Sequence, residues 1–289
     1  MNSAAVSHII SRIDSFPTLP VVVSQVMDIT SDPNSAPKDL FDVISRDQSL
    51  TTTILKVANS PFFGVIKRVA SLNQAIPLLG FSEIRNLVLG KAVFNSFKGL
   101  KSDTRLDLES FWRHAFACGL AAKILTGGKG NEVFVAGLIH DIGKLVICIA
   151  FPDLFSKIME RSEHRTVMTH LIEVELLGMS HDEIGMLLLK KWMFPNVLLN
   201  AVGYHHRPLK KPELYPIAVH LGDCLAHMSN ENLSSEWKRE ILREYFGPGI
   251  KKAAADCGVN WDEAVFREYM DAVKHHLEEE QGTFEKLVA

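Results

Sequence analysis

Apolar residues along the chain recur at three- and four-residue spacing, and no stretch of useful length alternates as a strand would. Val6, Ile9, Ile10 and Ile13 share one helical face, and Phe16-Pro17 ends that element. Pro20 suits a helix start, and Val22, Val23, Val26 and Met27 form the stripe that follows. The polar run 31–35 predicts a turn, and a helix then covers Leu40 to Ile44. Asp47 is placed to N-cap the next helix, which buries Leu50, Ile54, Val57 and Ala58 and closes at Asn59-Ser60-Pro61. Ser71 and Ser82 are further cap candidates, the second opening a helix from Glu83 to Phe97. Leu108 to Leu125 predicts a helix ended by the pair Gly127-Gly128. Beyond it come an apolar helical run at Val135–Lys144, amphipathic segments at 152–161 and 169–177, and a capping box in Ser180-His-Asp-Glu183. Pro195 and Pro216 open two more helices. Residues 231–289 are polar and helical, with Ala264, Val265, Tyr269, Val273 and Leu277 as a stripe that either packs back or forms a dimer seam. The pattern predicts an all-α protein.

Composition narrows the class. Of 289 residues, 47% are hydrophobic and 22% charged, which is ordinary for a globular chain. A net charge of −3 gives no basic footprint for nucleic acid. The cysteines at 118, 148, 224 and 257 are scattered without CxxC spacing and read as thiols in a reducing compartment. The N-terminus lacks a basic segment followed by an apolar one, and no run approaches 18 apolar residues. The expectation is a soluble, cytoplasmic protein with no membrane contact.

Chemistry centres on His140-Asp141, set in apolar sequence and followed by Gly143 and Lys144. A charged Asp in such surroundings needs a partner. That partner is either a hydrogen-bonded imidazole or a divalent metal, since imidazole and carboxylate together suit Zn, Mn, Fe or Ni. The first hundred residues hold no clustered His, Cys or acidic residues and read as an interaction or scaffolding region.

Several separate strings, Phe16-Pro-Thr-Leu-Pro20, Ile44-Ser-Arg-Asp-Gln-Ser-Leu50, Leu55 through Gly64, and Ala75-Ile-Pro-Leu-Leu-Gly80, closely resemble the HDOD family of bacterial signalling proteins. The match runs in register over about residues 15–225, and Gln48 departs from the family's more usual Pro. The resemblance implies an N-terminal HDOD helical bundle (1–104), an HD-type helical region (105–230) and a C-terminal helical extension (231–289).

His114, His140, Asp141 and Asp223 are similar to the H…HD…D signature of HD phosphohydrolases, which implies one bound divalent ion. His181, ahead of Gly185, and the pair His205-His206 resemble the further ligands of HD-GYP phosphodiesterases, which implies a second ion bridged by Asp141. Two ions about 3.5–4 Å apart would serve an in-line phosphoryl displacement. Lys144, one turn from His140, would pair with a phosphate oxygen, and Lys144 and Asp141 would be the catalytic residues of an active enzyme. The alternatives left open are an inherited but empty site, or histidines such as His181 and His206 capping helix ends.

The loop after the paired histidines departs from HD-GYP: Arg207 replaces an acid and Leu214 the glycine before Tyr215-Pro216. Cyclic di-GMP specificity is therefore not carried over. Arg207, Lys210 and Lys211 read as a solvated loop. His220 is expected as a packed neighbour, with Glu173 and Glu175 as candidate acceptors behind the ligands. His8, His164, His170, His227, His275 and His276 are assigned surface or hydrogen-bonding roles. The expected protein is a signalling module contacting other signalling proteins, monomer or homodimer, with a phosphate-containing small ligand conceivable. The alternative is an active metal-dependent phosphohydrolase or phosphodiesterase acting on a nucleotide or cyclic dinucleotide.

Overall fold

The computed structural model describes residues 3–59, 68–97, 106–130, 132–162, 169–229, 242 and 245–279, and among them no strand occurs. Ser60, Pro61, His164 and the chain from 280 onward lie outside the described residues. Two compact units divide the chain, one of residues 1–18 and 100–273, the other of 19–99 and 274–289.

The second unit contains α2 (Val21–Ser31), α3 (Pro37–Ile44), α4 (Gln48–Ala58) and α5 (Leu72–Phe97). Asp47 caps α4 by accepting from the Leu50 N–H at 3.0 Å. The Asn59 side chain donates to the Val69 carbonyl at 2.8 Å and accepts from its N–H at 2.7 Å, which ties the end of α4 to Val69. α5 is broken at Gly80, whose φ of 77° only glycine takes without strain, so the helix expected from Glu83 to Phe97 is its part beyond the break. Val26, Leu40, Ile44, Ile54, Ile84 and Val88 are fully buried and form the core of these helices.

The first unit begins with α1 (Ser3–Asp14). Lys191 holds its C-terminal end by donating to the carbonyls of Ile13, Asp14 and Phe16 at 3.0, 2.7 and 2.5 Å. Then follow α6 (Leu108–Leu125), α7 (Val133–Ile139), α8 (Ile142–Ala150), α9 (Pro152–Ser162), α10 (Thr169–Leu177), α11 (His181–Lys191), α12 (Asn196–Tyr204), α13 (Leu214–Ser229), α14 (Pro248–Asp256) and, up to Val273, α15 (Glu263–Glu279). α6 lies against α7 and α13. A Cβ on Gly137 would meet the Gly119 Cα at 2.5 Å, so α6 and α7 cross backbone to backbone. That crossing brings the helix bearing His114 onto the one that ends at His140.

The apolar run through the His-Asp pair is not one helix. α7 stops at Ile139 and α8 starts at Ile142, with His140 and Asp141 in the turn between. Residues 133–150 do reach a mean hydropathy of 2.0 over 18 residues, but 78% of that window is buried within the fold. The break turns both polar side chains the same way. A Cβ on Gly143 would sit 1.9 Å from the His181 carbonyl, so the starts of α8 and α11 touch.

The C-terminal stripe is only partly interior: Val273 is buried, Val265, Tyr269 and Leu277 are half-buried, and Ala264 is exposed. Trp261 and Tyr245 are buried, the Trp261 indole donating to the Tyr245 carbonyl at 2.9 Å.

Candidate metal centre

Four helix ends or first turns, those of α7, α8, α11 and α12, and the interiors of α6 and α13 deliver one cluster of imidazoles and carboxylates. Asp141, 3% exposed, sits between two groups of histidines. Its Oδ2 lies 2.7 Å from Lys144 Nζ, 3.4 Å from His140 Nε2 and 3.9 Å from His114 Nε2. Its Oδ1 lies 3.1 Å from His181 Nε2 and 3.9 Å from His205 Nε2. Asp223 Oδ1 lies 3.0 Å from His114 Nε2 and 3.6 Å from His140 Nε2. His206 Nε2 approaches His181 Nε2 at 3.0 Å. All seven residues marked as ligand candidates from sequence therefore converge.

The orientation of the rings carries chemical information. His140 Nδ1 donates to the Gly137 carbonyl and His205 Nδ1 to the Val202 carbonyl, both at 2.7 Å. His181 Nδ1 faces Glu173 Oε2 at 2.6 Å, and the same oxygen accepts the His181 N–H at 2.7 Å. With Nδ1 committed to an acceptor, the Nε2 lone pair of each neutral ring points into the cluster, the arrangement that metal-binding histidines use. Buried Nε2 of His114, His140 and His205, and Oδ1 of Asp141 and Asp223, have no hydrogen-bond partner in good geometry. Five unsatisfied ligand atoms at one place are costly unless something binds them.

Electrostatics separate the rings. Burial is the largest influence on His181 and opposes its charge, but Glu173 and Asp141 together push the pKa up to about 9. Burial pushes His205 down to about 3, and the neighbouring His140 and His181 charges add to the effect. Burial disfavours the charged Asp141, yet His140 and Lys144 together hold it well below the usual carboxylate range. The donor set of imidazole nitrogen and carboxylate oxygen fits Fe, Mn, Ni or Zn. His181, His205 and His206 form one three-ligand group with ligand atoms within 4.8 Å of one another, and His114, His140 and Asp141 form another.

Several expectations need correction. His227, read as a surface or hydrogen-bonding residue without partners at metal spacing, has such partners: its Nε2 lies 3.3 Å from Asp223 Oδ1 and its ring 4.5 Å from that of His114. The signal was available, since His227 lies four residues after Asp223 and so one helical turn along the same face. His170, read in the same way as a surface or hydrogen-bonding residue, stacks on His206 at 4.3 Å and 15°. Glu175 is not behind the ligands: it pairs with Arg161 at 2.7 Å on the surface, and Glu173 alone does that work. Arg207 is not a solvated side chain, because it donates to Asp182 at 2.7 Å and Glu183 at 2.9 Å. The turn after the histidines is thus tied to the start of α11. His181 caps nothing, since Ser180 and Glu183 form the capping box.

His220 is the packed neighbour expected, its Nδ1 donating to the His205 carbonyl at 2.7 Å. Tyr245 gave no sequence signal: its hydroxyl donates to Asp223 Oδ2 at 3.0 Å, and its ring stacks on His220 at 4.2 Å. Tyr215 is committed to structure, donating to Glu132 Oε2 at 2.7 Å at the start of α7. A cavity of about 320 Å³ borders the cluster, lined by Phe111, Phe155, Ile158 and Met159 and by His114, Asp141, Lys144, Glu173 and His227.

The described residues define an all-helical protein with one buried cluster of imidazoles and carboxylates. More closely, the chain belongs to the HDOD domain family, whose profile matches residues 16–208. An uncharacterised protein of Treponema pallidum is 28% identical over 214 residues, 72% of this chain and 41% of that protein, so the chain spans about two fifths of its length. A candidate phosphohydrolase from Shewanella amazonensis superposes with a TM-score of 0.72 at 22% identity, covering 98% of both chains. A candidate signal-transduction protein from Marinobacter aquaeolei gives 0.71 at 21% identity, covering 99% of this chain and 66% of the other. At such identities these two structures show the shared fold.

Proposed function

We propose that the protein is a bacterial, cytoplasmic signalling module that acts through contacts with other proteins, its HD cluster holding one or two divalent transition-metal ions. The observation that carries the metal is the set of inward Nε2 atoms whose Nδ1 atoms are spent on Gly137, Val202 and Glu173. Support for a regulatory role comes from the basic groups near the cluster. Arg207 is bound to Asp182 and Glu183, and Lys144 to Asp141. Both of these side chains are thus already paired with carboxylates of the fold.

A second reading, a metal-dependent phosphohydrolase, is favoured by the cavity that Asp141 and Lys144 help to line. Its volume is at the small end of ligand sites, which suits a compact phosphoester. Bound ions would supply an acidic water and neutralise phosphoryl oxygens. For the chain's own part, Asp141 would present an oxygen to each ion, Lys144 would hold that carboxylate and meet a phosphate oxygen, and Phe111 and Phe155 would keep water out. A panel of phosphodiesters with added Mn²⁺ or Fe²⁺, run on the wild type and on Asp141→Ala, tests the choice. The regulatory reading expects no turnover in either protein. Turnover lost in the variant would overturn it.

A further inference from the structure

His227 belongs to neither of the ligand sets the HD and HD-GYP resemblances imply. Its Nε2 nevertheless lies 3.3 Å from Asp223 Oδ1, the oxygen that His114 Nε2 approaches to 3.0 Å. Those three ligand atoms fall within 4.8 Å of one another, two imidazoles and a carboxylate forming a third potential seat. It overlaps the seat of His140 and Asp141, because one Nε2 lone pair on His114 serves only one ion at a time. Three divalent ions against two carboxylates would also leave a large uncompensated positive charge in a buried place.

The seats differ in access. The side chains of His114 and His227 are 20% and 29% exposed, whereas His140, His181 and His205 are buried to 1% or less. The cavity touches His114, His227 and Asp141 but none of those three buried rings. From the cavity, His114 and His227 are therefore the imidazoles met first.

We propose that His227, with His114 and Asp223, forms an outer loading seat beside the cavity, from which the metal is passed to the deep seat as His114 turns its lone pair to His140 and Asp141. The inference rests on the metal reading above. It assigns His227 to loading and not to the final coordination.

Metal-free wild type, His227→Ala and His227→Gln, each checked for folding by circular dichroism, should be mixed with Co²⁺ in a stopped-flow instrument and followed by the cobalt visible bands. Final occupancy should be measured separately by elemental analysis after desalting. The expected result is loading about tenfold slower in both variants, on the scale of losing one imidazole contact, with the same final occupancy as wild type. Loading at the wild-type rate in both would overturn the proposal. Lower final occupancy in both would also overturn it, by making His227 a permanent ligand. A wild type that takes up no cobalt would defeat the metal reading itself, an outcome distinct from the other two.

Discussion

The two ends of the histidine cluster are built differently. At the closed end His181 and His205 are buried and fixed through Nδ1, and His206 is clamped between His181 and the stacked His170. At the open end His114 and His227 are partly exposed, share one carboxylate oxygen and border a cavity. Asp141 joins the ends, one oxygen facing each way. The contrast teaches that a ligand set of one chemistry can divide its labour, with rigidity and depth at one end and access at the other.

The most damaging way to break this comparison is to remove the shared member. Asp141→Ala should abolish metal retention at both ends, a loss of at least about a hundredfold in affinity, read by elemental analysis after dialysis against buffer. Retention of one ion at the closed end would show that the two ends are independent.

Next in size is Glu173→Gln, which removes charge behind His181 while keeping an acceptor. The closed end should lose about tenfold in affinity, measured by competition with a chelating dye, with the open end little changed.

The pH dependence should also come from the closed end. His181 retains its proton up to about pH 9 without metal, because Glu173 and Asp141 together outweigh the effect of burial. A metal must displace that proton, so affinity should rise with pH and level off near 9. In the metal-free protein the raised pKa of His181 contributes stability below about 6.5, its unfolded value, and loses it as pH climbs through 9. His205, pushed down to about 3 by burial and neighbouring charges, acts oppositely. The unfolded chain binds its proton below about 6.5, so its share of stability falls as pH drops from there toward 3. In Glu173→Gln the affinity plateau should move to lower pH.

The smallest effect is expected from Tyr245→Phe at the open end. It removes the hydroxyl donor to Asp223 and should cost about 1 kcal/mol of folding stability in urea titration. The ring's stacking on His220 should survive.

How much could be read from the chain alone follows this same division. The helical class, the Asp47 cap and the capping box at Ser180 are local, set by spacing and by side chains three residues apart. The seven ligand candidates were legible because the resemblance named their positions, and the fold brings those positions together. His227 and His170 were missed for a physical reason: a ring is judged by its own neighbours in sequence, while its role is set by helices that meet through tertiary packing. The α7–α8 break escaped for a related reason, since an unbroken apolar pattern does not record where a buried polar pair interrupts the backbone. Arg207 looked like part of a basic loop, and only the start of α11 reveals its partners. Tyr245 reaches Asp223 across 22 residues, with no periodicity connecting them.

The most direct test of a metal centre is elemental analysis of the full chain purified without chelator. The account predicts one to two transition-metal ions per chain, lost in Asp141→Ala. A clean zero in the wild type, after supplying Fe, Mn, Ni and Zn in turn, would contradict it.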